Sequence, residues 1–417
     1  MKIIYLHQYF NTNNMSGGTR SFEFARRLVA MGHEVDIITT WREADGHKNW
    51  FVTEEEGIKI HWFPMLYSNH MSYFQRIKAF IKFAWHSACR AASLESDIIF
   101  ATSTPLTIAL PAVYASRKNK VPMVFEVRDL WPSMPIAMNI LKNPFLCYLA
   151  NFLERWAYKN SKSIVTLSPT MKIGIISKNF CSSCIAVIPN SSDINNFEYN
   201  KILESNFRQA RAWLNNKPLL LYAGTFGEVN NLKYAVQLAK ALQDRNSDIR
   251  ILLIGDGSQR QSLIYKAKQS GVFEKNLFFE DNIPKKNIKE YFSAATICAN
   301  FVIDIEEAWA NSANKFFDTL AAGKPILLNH KGWMHDLVSL YSCGLCMHGK
   351  PMHEVAEELD LVMFDAKWLK ASGNASRKLA QKFFDSNVLS KQLERVLVAT
   401  KEGNPEMAET IAPGLYK

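Results

Sequence analysis

The chain has 417 residues, of which 48% are hydrophobic and 21% are charged, and it carries a formal net charge of +10. This length exceeds what one ordinary hydrophobic core serves, so we expect at least two domains. The composition is that of a globular protein and excludes a disordered or collagen-like chain. The excess of basic residues favours an anionic partner, such as a nucleotide, a nucleic acid or an anionic lipid surface.

Targeting and metal-binding signals are weak in this sequence. Only the short apolar run 3–6 follows Lys2, so no signal peptide is expected. The stretch 98–115 is interrupted by prolines and predicts a strand, a turn and a helix rather than a membrane span. Seven cysteines suit a reducing compartment, and the two C-x-x-C pairs, which begin at Cys181 and Cys343, lie too far apart for a compact zinc module. We therefore expect a cytoplasmic protein without a metal or other cofactor.

Short apolar runs alternate with longer amphipathic segments, which is the pattern of α/β folds with parallel sheets. The first series predicts strands at residues 3–6, 35–39, 59–63, 98–101, 123–127 and 164–167, and helices at 19–31, 73–92, 106–118 and 145–160. Residues 188–200, rich in Pro, Asn, Ser and Asp, predict a linker. The second series predicts strands at 219–223, 249–254, 277–279, 297–300, 326–329 and 344–347, and helices at 232–244, 260–269, 288–294, 314–321 and 354–361.

The predicted fold class is therefore α/β, with two doubly wound, Rossmann-like domains facing across a cleft. We place them at residues 1–190 and 191–385, followed by a last helix and a loosely held tail within 386–417. Ligands of such sheets bind beyond the carboxyl ends of the strands, so the site residues are expected there.

The segment 311–328, NSANKFFDTLAAGKPILL, combines a helix start, a charged pair, a helix stop and a buried strand. Asn311 or Ser312 can cap the helix. Lys315 lies in the first turn, where a cation opposes the helix dipole, and Asp318 follows at i,i+3 on the same face. This placement indicates an anion site formed by Lys315 and the amino-terminal amides, with Asp318 binding sugar hydroxyls. A surface helix with an ion pair between Lys315 and Asp318 is the alternative.

Glycines follow several of the predicted strands. Gly17 and Gly18 precede the first long helix and can bring backbone amides close to an anion, although the G-x-G-x-x-G fingerprint is absent. Gly224 and Thr225 follow the first strand of the second series, and Gly255 opens a G-x-G after the next strand. Tight turns alone would also account for these glycines.

Charged residues mark the end of the predicted strand 123–127. Glu126, Arg128 and Asp129 place three charges within four residues at the carboxyl end of a strand, which makes them site candidates. A structural pair between an arginine and a carboxylate is the alternative.

The segment 73–92 predicts a basic amphipathic helix, and residues 65–92 contain no acidic residue. Such a helix suits an anionic membrane surface, whereas a helix packed on the sheet with a solvated basic face is the alternative. Its predicted apolar face consists of Phe74, Ile77, Phe80, Ile81, Ala84, Trp85 and Ala88.

Taken in order, these segments resemble glycosyltransferase family 4, a GT-B fold group that uses nucleotide-sugar donors. The resemblance spans nearly the whole chain. It is carried by Gly17-Gly18, Leu167-Ser168, Ile188-Pro189-Asn190, residues 253–257 and residues 318–325.

One subgroup of this family is more similar still. HQYF at 7–10, RDLWP at 128–132 and NSANKFFD at 311–318 resemble the WbuB-like transferases of bacterial O-antigen and capsule assembly. Some members are taken to transfer N-acetyl-L-fucosamine from a UDP donor onto a lipid-diphosphate-linked sugar.

The resemblance implies roles for the matched positions. Lys315, Arg128 and Asp129 would be catalytic, Asp318 would bind the ribose hydroxyls, and the loop 281–284 would touch the base. The implied donor-binding residues are Gly17, Gly18, Gly224, Thr225, Gly255, Asp281, Ile283, Asn311, Ala313, Asn314 and Asp318.

The chain departs from the family pattern at the diphosphate clamp. Ala310 replaces the first glutamate of E-x7-E, and Thr225 and Asn230 replace the usual arginine and lysine. Arg128 replaces a histidine that many members carry. Lys315 and Arg128 would then compensate for the missing cations.

The resemblance therefore implies sugar transfer from a UDP-sugar to a lipid-diphosphate-linked acceptor, by a cytoplasmic enzyme peripheral to the inner face of the plasma membrane. Positioned cations and helix-end amides would stabilise the leaving diphosphate without a metal, since the sequence has no Asp-x-Asp motif. A nucleotide-sugar epimerase or phosphorylase, or a non-catalytic nucleotide-sugar-binding subunit of a surface-glycan complex, are the alternatives. Nucleic-acid binding lacks a recognised motif.

Overall fold

The computed structural model of the chain describes residues 1–15, 17–43, 45–65 and 73–414, without the side chains of Tyr73, Phe74 and Arg76. The chain divides into two compact units. Unit 1 contains residues 1–12, 18–189 and 387–417, and unit 2 contains residues 13–17 and 190–386.

Unit 1 is built on one twisted sheet of mostly parallel strands. The described strands are β1 (Lys2–Leu6), β2 (Glu34–Trp41), β3 (Phe51–Glu55), β4 (Ile58–Pro64), β5 (Ile98–Thr102), β6 (Met123–Val127), β7 (Ser163–Thr166) and β8 (Ile185–Val187). Their order in the sheet is β3-β4-β2-β1-β5-β6-β7-β8, and β3 runs antiparallel to β4. The central strands β5, β6 and β7 are buried along their whole length, which explains why they read as continuous apolar runs.

Six helices of unit 1 connect these strands in the described residues. They are α1 (Arg20–Ala30), α2 (Tyr73–Ala92), α3 (Ala109–Asn119), α4 (Ser133–Ala137), α5 (Pro144–Asn160) and α6 (Pro169–Ile176). The start of α5 is set locally: Asn143 caps the helix by accepting from the amides of Phe145 and Leu146, and Pro144 occupies the first turn.

The predicted apolar face of α2 is divided in the structure. Ala84 is buried with Ala79 and Phe83, whereas Ile81 and Trp85 are exposed. The inward face of the helix is therefore rotated from the predicted one, since Phe83 packs into the core while Ile81 and Trp85 face away from it. Residues 66–72 and the side chains of Phe74 and Arg76, which belong to the same prediction, lie outside the described residues.

Unit 2 is a second doubly wound sheet. Its described strands are β9 (Leu219–Ala223), β10 (Arg250–Ile254), β11 (Leu277–Glu280), β12 (Ile297–Asn300), β13 (Ile326–Leu328) and β14 (Gly344–Cys346). All pair in parallel in the order β11-β10-β9-β12-β13-β14. The first strand of unit 2, β9, thus lies at the centre of the sheet. The next two strands extend the sheet to one side of β9, and the last three extend it to the other side, which is the Rossmann order.

The helices of unit 2 lie between and after these strands. They are α7 (Lys201–Gln209), α8 (Lys233–Asp244), α9 (Arg260–Gln269), α10 (Ile288–Ala294), α11 (Glu306–Trp309), α12 (Asn314–Ala321), α13 (Trp333–Tyr341), α14 (Met352–Met363) and α15 (Ala366–Leu379). The predicted α/β class with two doubly wound sheets is confirmed.

The chain ends with two further helices, α16 (Ser386–Lys401) and α17 (Ala408–Ile411). The predicted loosely held tail is wrong for residues 402–414, because Ala408 and Ala412 are buried. The amide of Val187 in β8 donates to the carbonyl of Ala412 at 2.8 Å, so the end of the chain covers the last strand of the sheet. Residues 415–417 lie outside the described part. Within that part, no helix is both long and apolar enough to cross a membrane.

Candidate functional site

Lys315, in the first turn of α12, lies beside the loop that follows β9. Its Nζ donates to Asn230 Oδ1 at 3.1 Å and lies 5.0 Å from the centroid of the Tyr222 ring. A Cβ atom at Gly224 would lie 3.0 Å from Cε of the lysine, so glycine leaves room for this side chain. Burial lowers the pKa of Lys315 to about 8. In the described residues Lys315 forms no ion pair, so the alternative of a pair with Asp318 is wrong.

The start of α12 has no side-chain cap. Its N-cap residue is Ala313, whose methyl group cannot accept a hydrogen bond, so the predicted cap by Asn311 or Ser312 is wrong. Ser312 Oγ instead accepts from the amide of Asn190 at 3.3 Å. The first-turn amides, including that of Asn314, therefore lack a side-chain acceptor and can bind an anion.

Two glycine loops of unit 2 interlock. The amide of Gly224 donates to the carbonyl of Ile254 at 2.9 Å, and the amide of Phe226 donates to the carbonyl of Asp256 at the same distance. Gly255 has a φ of +141°, and a Cβ atom there would lie 1.9 Å from the carbonyl oxygen of Gly224. Close backbone packing thus accounts for Gly255, while the adjoining Thr225 is exposed.

Asp318 is buried and already has two partners. It accepts from Ser192 Oγ at 3.0 Å and forms an ion pair with Lys285. Lys285 also lies over the Phe197 ring, 5.0 Å from its centroid. The carboxylate therefore has a fixed position, as binding a pair of sugar hydroxyls requires.

The remaining predicted donor residues of unit 2 lie in loops at the carboxyl ends of the strands. Asp281 is exposed and pairs with Arg260 at 2.7 Å, and Ile283 is partly exposed two residues further on. The carbonyl of Asn311 accepts from Trp333 Nε1 at 2.7 Å, and its side-chain Oδ1 is buried with no partner in the described residues.

In unit 1, Arg128 follows β6 and lies near the end of β1. Its guanidinium donates to His7 Nε2 at 3.4 Å, and its amide donates to Ser103 Oγ at 3.0 Å. Burial, with Arg128 and Arg42 nearby, lowers the pKa of His7 well below its usual range, so the imidazole is neutral. Asp129, by contrast, is exposed, and Thr104 Oγ1 lies 3.4 Å from its carboxylate.

Buried polar atoms without partners lie at the end of β1. His7 Nδ1 and both amide atoms of the Gln8 side chain have no hydrogen-bond partner among the described residues. Such groups are costly to bury unless a ligand or water completes them.

Glu126, the third charge of the predicted cluster, is structural. Burial alone would raise its pKa, but Arg20 and Arg128, with hydrogen bonds from Arg20 and Thr102, bring the pKa of Glu126 below its usual value. Arg20 Nη2 lies 2.8 Å from Glu126 and also donates to the carbonyl of Ile188 at 2.8 Å. The alternative of a structural pair holds for Glu126, with a partner from α1.

Gly17 and Gly18 lie in the loop before α1. Gly17 has a φ of +122°, and the carbonyl of Gly18 accepts from Asn11 Nδ2 at 3.3 Å. Ser16, the residue before Gly17, lies outside the described residues.

Asn230, Tyr222, Lys285 and Ser192 were missed as site residues. In the sequence Asn230 stands out only because it departs from the family pattern. Lys285 could have been found from its position, because it directly follows the loop 281–284 that is predicted to contact the base. No signal in the sequence distinguished Tyr222 or Ser192. The described residues contain no group of three or more His, Cys, Asp or Glu side chains able to hold a metal ion.

The sequence matches two known family patterns in succession. Residues 17–191 match the family described as "Glycosyl transferase 4-like domain", and residues 204–379 match "Glycosyl transferases group 1". WcaI of Escherichia coli (strain K12), which is named as a colanic acid biosynthesis glycosyl transferase, is 23% identical over 294 residues. The match covers 67% of this chain and 71% of WcaI.

Solved structures share the fold over nearly the whole length. Sucrose-phosphate synthase from Thermosynechococcus elongatus superposes with a TM-score of 0.76 at 13% identity, covering 96% of this chain and 99% of its own. Anabaena HepE in complex with UDP-glucose gives a TM-score of 0.70 at 18% identity, covering 96% of this chain and 100% of its own. The chain is therefore a glycosyltransferase of the GT-B fold, with a glycosyl transferase 4-like domain followed by a glycosyl transferases group 1 domain.

Proposed function

We propose that the protein transfers a sugar from a UDP-sugar donor to a lipid-diphosphate-linked acceptor in bacterial O-antigen or capsule assembly. The proposed sugar is N-acetyl-L-fucosamine or a related amino sugar, on the strength of the resemblance to the WbuB-like subgroup. HepE was solved with UDP-glucose, which supports a nucleotide-sugar donor. WcaI, named for colanic acid biosynthesis, supports a role in polysaccharide assembly.

The single observation that carries the proposal is the environment of Lys315. A partly buried lysine beside glycine loops, hydrogen-bonded to a neutral amide, provides positive charge for a ligand rather than for the fold. The leaving diphosphate gains negative charge as the glycosidic bond breaks, and a preorganised cation with uncapped helix amides stabilises that charge. These groups would act without a metal ion or other cofactor.

The contact between Asn230 and Lys315 indicates how the diphosphate would be bound with fewer basic residues than the family usually has. The resembled family has a lysine at this position, which would repel Lys315. Here the amide oxygen of Asn230 accepts from Lys315 and holds it beside Gly224. Lys315, held in one orientation, would thereby stabilise the charge of the diphosphate without a second lysine beside it.

Asp318 would bind the ribose. Its contacts with Ser192 and Lys285 orient the carboxylate for accepting hydrogen bonds from the ribose hydroxyls. Arg128 and Asp129 would act from unit 1, on the transferred sugar or the acceptor. A peripheral position at the inner face of the plasma membrane, with Ile81 and Trp85 of α2 facing the lipid, completes the proposal.

Thermal-shift titration with UDP, GDP and ADP, first with EDTA and then with magnesium, tests the donor. A ligand that binds only the folded state raises the melting temperature. We expect UDP to raise it most, equally with and without metal. Lys315→Met should lose the shift, while Lys240→Met, which removes an exposed lysine of α8, should retain it.

A shift with GDP or ADP in place of UDP would contradict the proposed base, and no shift with any nucleotide would contradict a nucleotide-sugar donor. Transfer is then measured as UDP release from a panel of UDP-amino sugars, with and without a lipid-diphosphate-linked acceptor. Acceptor-independent conversion of the donor would contradict the proposed transfer.

A further inference from the structure

Helix α5 of unit 1 carries a row of large apolar side chains that are exposed in the described part of the chain. Phe145, Tyr148, Leu149 and Phe152 are 66%, 67%, 42% and 58% exposed. Their i, i+3, i+4, i+7 spacing places them on one side of the helix. We call these four residues the α5 face. Large aromatic side chains exposed together at this density mark an interaction surface.

Helix α3 extends this surface. Leu110 and Tyr114 are 40% and 51% exposed on α3. A groove between the two helices is lined by Leu110, Tyr114 and Trp156, with Arg117 at its side. The apolar surface therefore spans two neighbouring helices of unit 1.

The rim of the α5 face is basic. Lys142, Arg155 and Lys159 are exposed along α5 and the turn before it, and Arg117 is exposed on α3. Residues 130–160 contain one acidic residue, Glu154, which is buried and accepts from Tyr158 while pairing with Lys178 at 3.4 Å. The surface thus presents aromatic rings and positive charge together, with no exposed carboxylate in this segment.

We infer that the α5 face is a docking surface for an anionic lipid bilayer. An amphipathic helix with aromatic residues on one side and basic residues around them lies in the plane of a bilayer interface, where lysines and arginines contact anionic headgroups. A second copy of the chain is disfavoured as the occupant, because each copy has a net charge of +10 and a basic rim. This assignment deepens the proposed function, since a lipid-linked acceptor lies in such a surface.

The α5 face was not recognised from the sequence, where α2 was the predicted membrane helix. On α2 the described large apolar residues that are exposed are Ile81 and Trp85. The α5 face has four exposed large apolar side chains, against two among the described residues of α2, so we expect it to contribute the larger part of the binding.

Cosedimentation of the full chain with vesicles tests the docking surface. We expect binding to phosphatidylglycerol-containing vesicles and weak binding to pure phosphatidylcholine vesicles. Two triple variants should each lower vesicle binding at least about tenfold. The first removes the aromatic rings by Phe145→Ser/Tyr148→Ser/Phe152→Ser, and the second reverses the basic charges by Lys142→Glu/Arg155→Glu/Lys159→Glu. Leu361→Ser/Phe364→Ser, a matched change at residues of unit 2 that are 70% and 59% exposed, should bind as the wild type does.

Three results of the vesicle assay would overturn the inference. They are equal binding to neutral and anionic vesicles, wild-type binding by the α5 variants, and loss of binding by Ile81→Ser/Trp85→Ser alone. A wild-type dimer that the aromatic α5 variant converts to a monomer in sedimentation velocity would assign the face to a second copy instead.

The UDP-induced thermal shift is measured on the same variants, so that failure of the docking surface is distinguished from failure of the proposed donor. Vesicle binding without a UDP shift would refute the donor and leave the docking surface, and the reverse result would refute the docking surface alone.

Discussion

Arg20 in unit 1 is buried and Lys315 in unit 2 is partly buried, and the surroundings of the two cations are opposite. Arg20 has a carboxylate partner, Glu126, and donates to backbone carbonyls as well. Lys315 has the amide oxygen of Asn230 and the ring of Tyr222. A buried cation whose charge is fully matched stabilises the fold, whereas one left without a counter-charge indicates where an anion binds.

The largest expected effect is on the matched cation. Arg20→Met leaves the Glu126 carboxylate buried without its partner, so the free energy of unfolding should fall by about 3–5 kcal/mol. Urea unfolding followed by circular dichroism measures this change. Arg20→Met/Glu126→Leu should recover most of the loss, since no uncompensated charge remains. A loss below about 1 kcal/mol in the single variant would remove the contrast with Lys315.

Lys315→Met should show the opposite result. Turnover should fall about 10²–10³-fold, as when one preorganised donor to a developing charge is removed. Stability should be unchanged or slightly higher, because the substitution removes a desolvated charge. Turnover of UDP-sugar and the melting temperature are compared in one preparation. Wild-type turnover, or a loss of stability like that of Arg20→Met, would show that Lys315 belongs to the fold.

Gly255→Ala should disturb the loop that positions Lys315. The new methyl group would collide with the carbonyl oxygen of Gly224, so one of the two backbones must move, at a cost of about 1–3 kcal/mol. Thermal unfolding and UDP affinity should both decline. Gly271→Ala is the matched control, because its φ is also positive but no atom lies within 4 Å of the added Cβ. Equal effects of the two substitutions would show that backbone strain, and not the interlocked loops, is responsible.

The smallest expected effect is a pH dependence. Burial lowers the pKa of Lys315 to about 8, and a bound diphosphate would raise it again. Affinity for UDP is therefore complete below pH 8 and is lost as the pH rises through this value, by up to about tenfold per unit. Isothermal titration calorimetry at pH 7 and pH 9 should show this loss in the wild type. Lys315→Met is the control, because any pH dependence of UDP affinity that remains in this variant comes from groups other than Lys315. An equal pH dependence in both proteins would contradict the assigned pKa of Lys315.

Features set by neighbouring residues could be predicted from the sequence, whereas contacts between distant residues could not. The buried parallel strands other than β8 were predicted, because a strand covered on both faces is apolar throughout. Strand β3 was missed because its edge position leaves Val52, Thr53 and Glu54 exposed. Lys315 was found from its position in a helix, which is local information. Its partner Asn230 lies 85 residues away, and Lys285 reaches Asp318 across 33 residues. Only the folded sheet brings such pairs together.

The α5 face illustrates the same limit from another side. Its aromatic spacing is present in the sequence, but a core-facing helix has the same periodicity. Exposure, which distinguishes the two, depends on how many layers cover the sheet, and no local pattern records that.

The contact between Ala412 and β8 has a practical consequence. Strand β8 lies at the end of its sheet, and the terminal segment occupies the hydrogen-bonding edge at Val187. An uncovered strand edge is a template for pairing with another molecule. Protein shortened before residue 402 should therefore aggregate or form oligomers on size-exclusion chromatography, so a truncation intended to aid crystallisation would promote self-association instead.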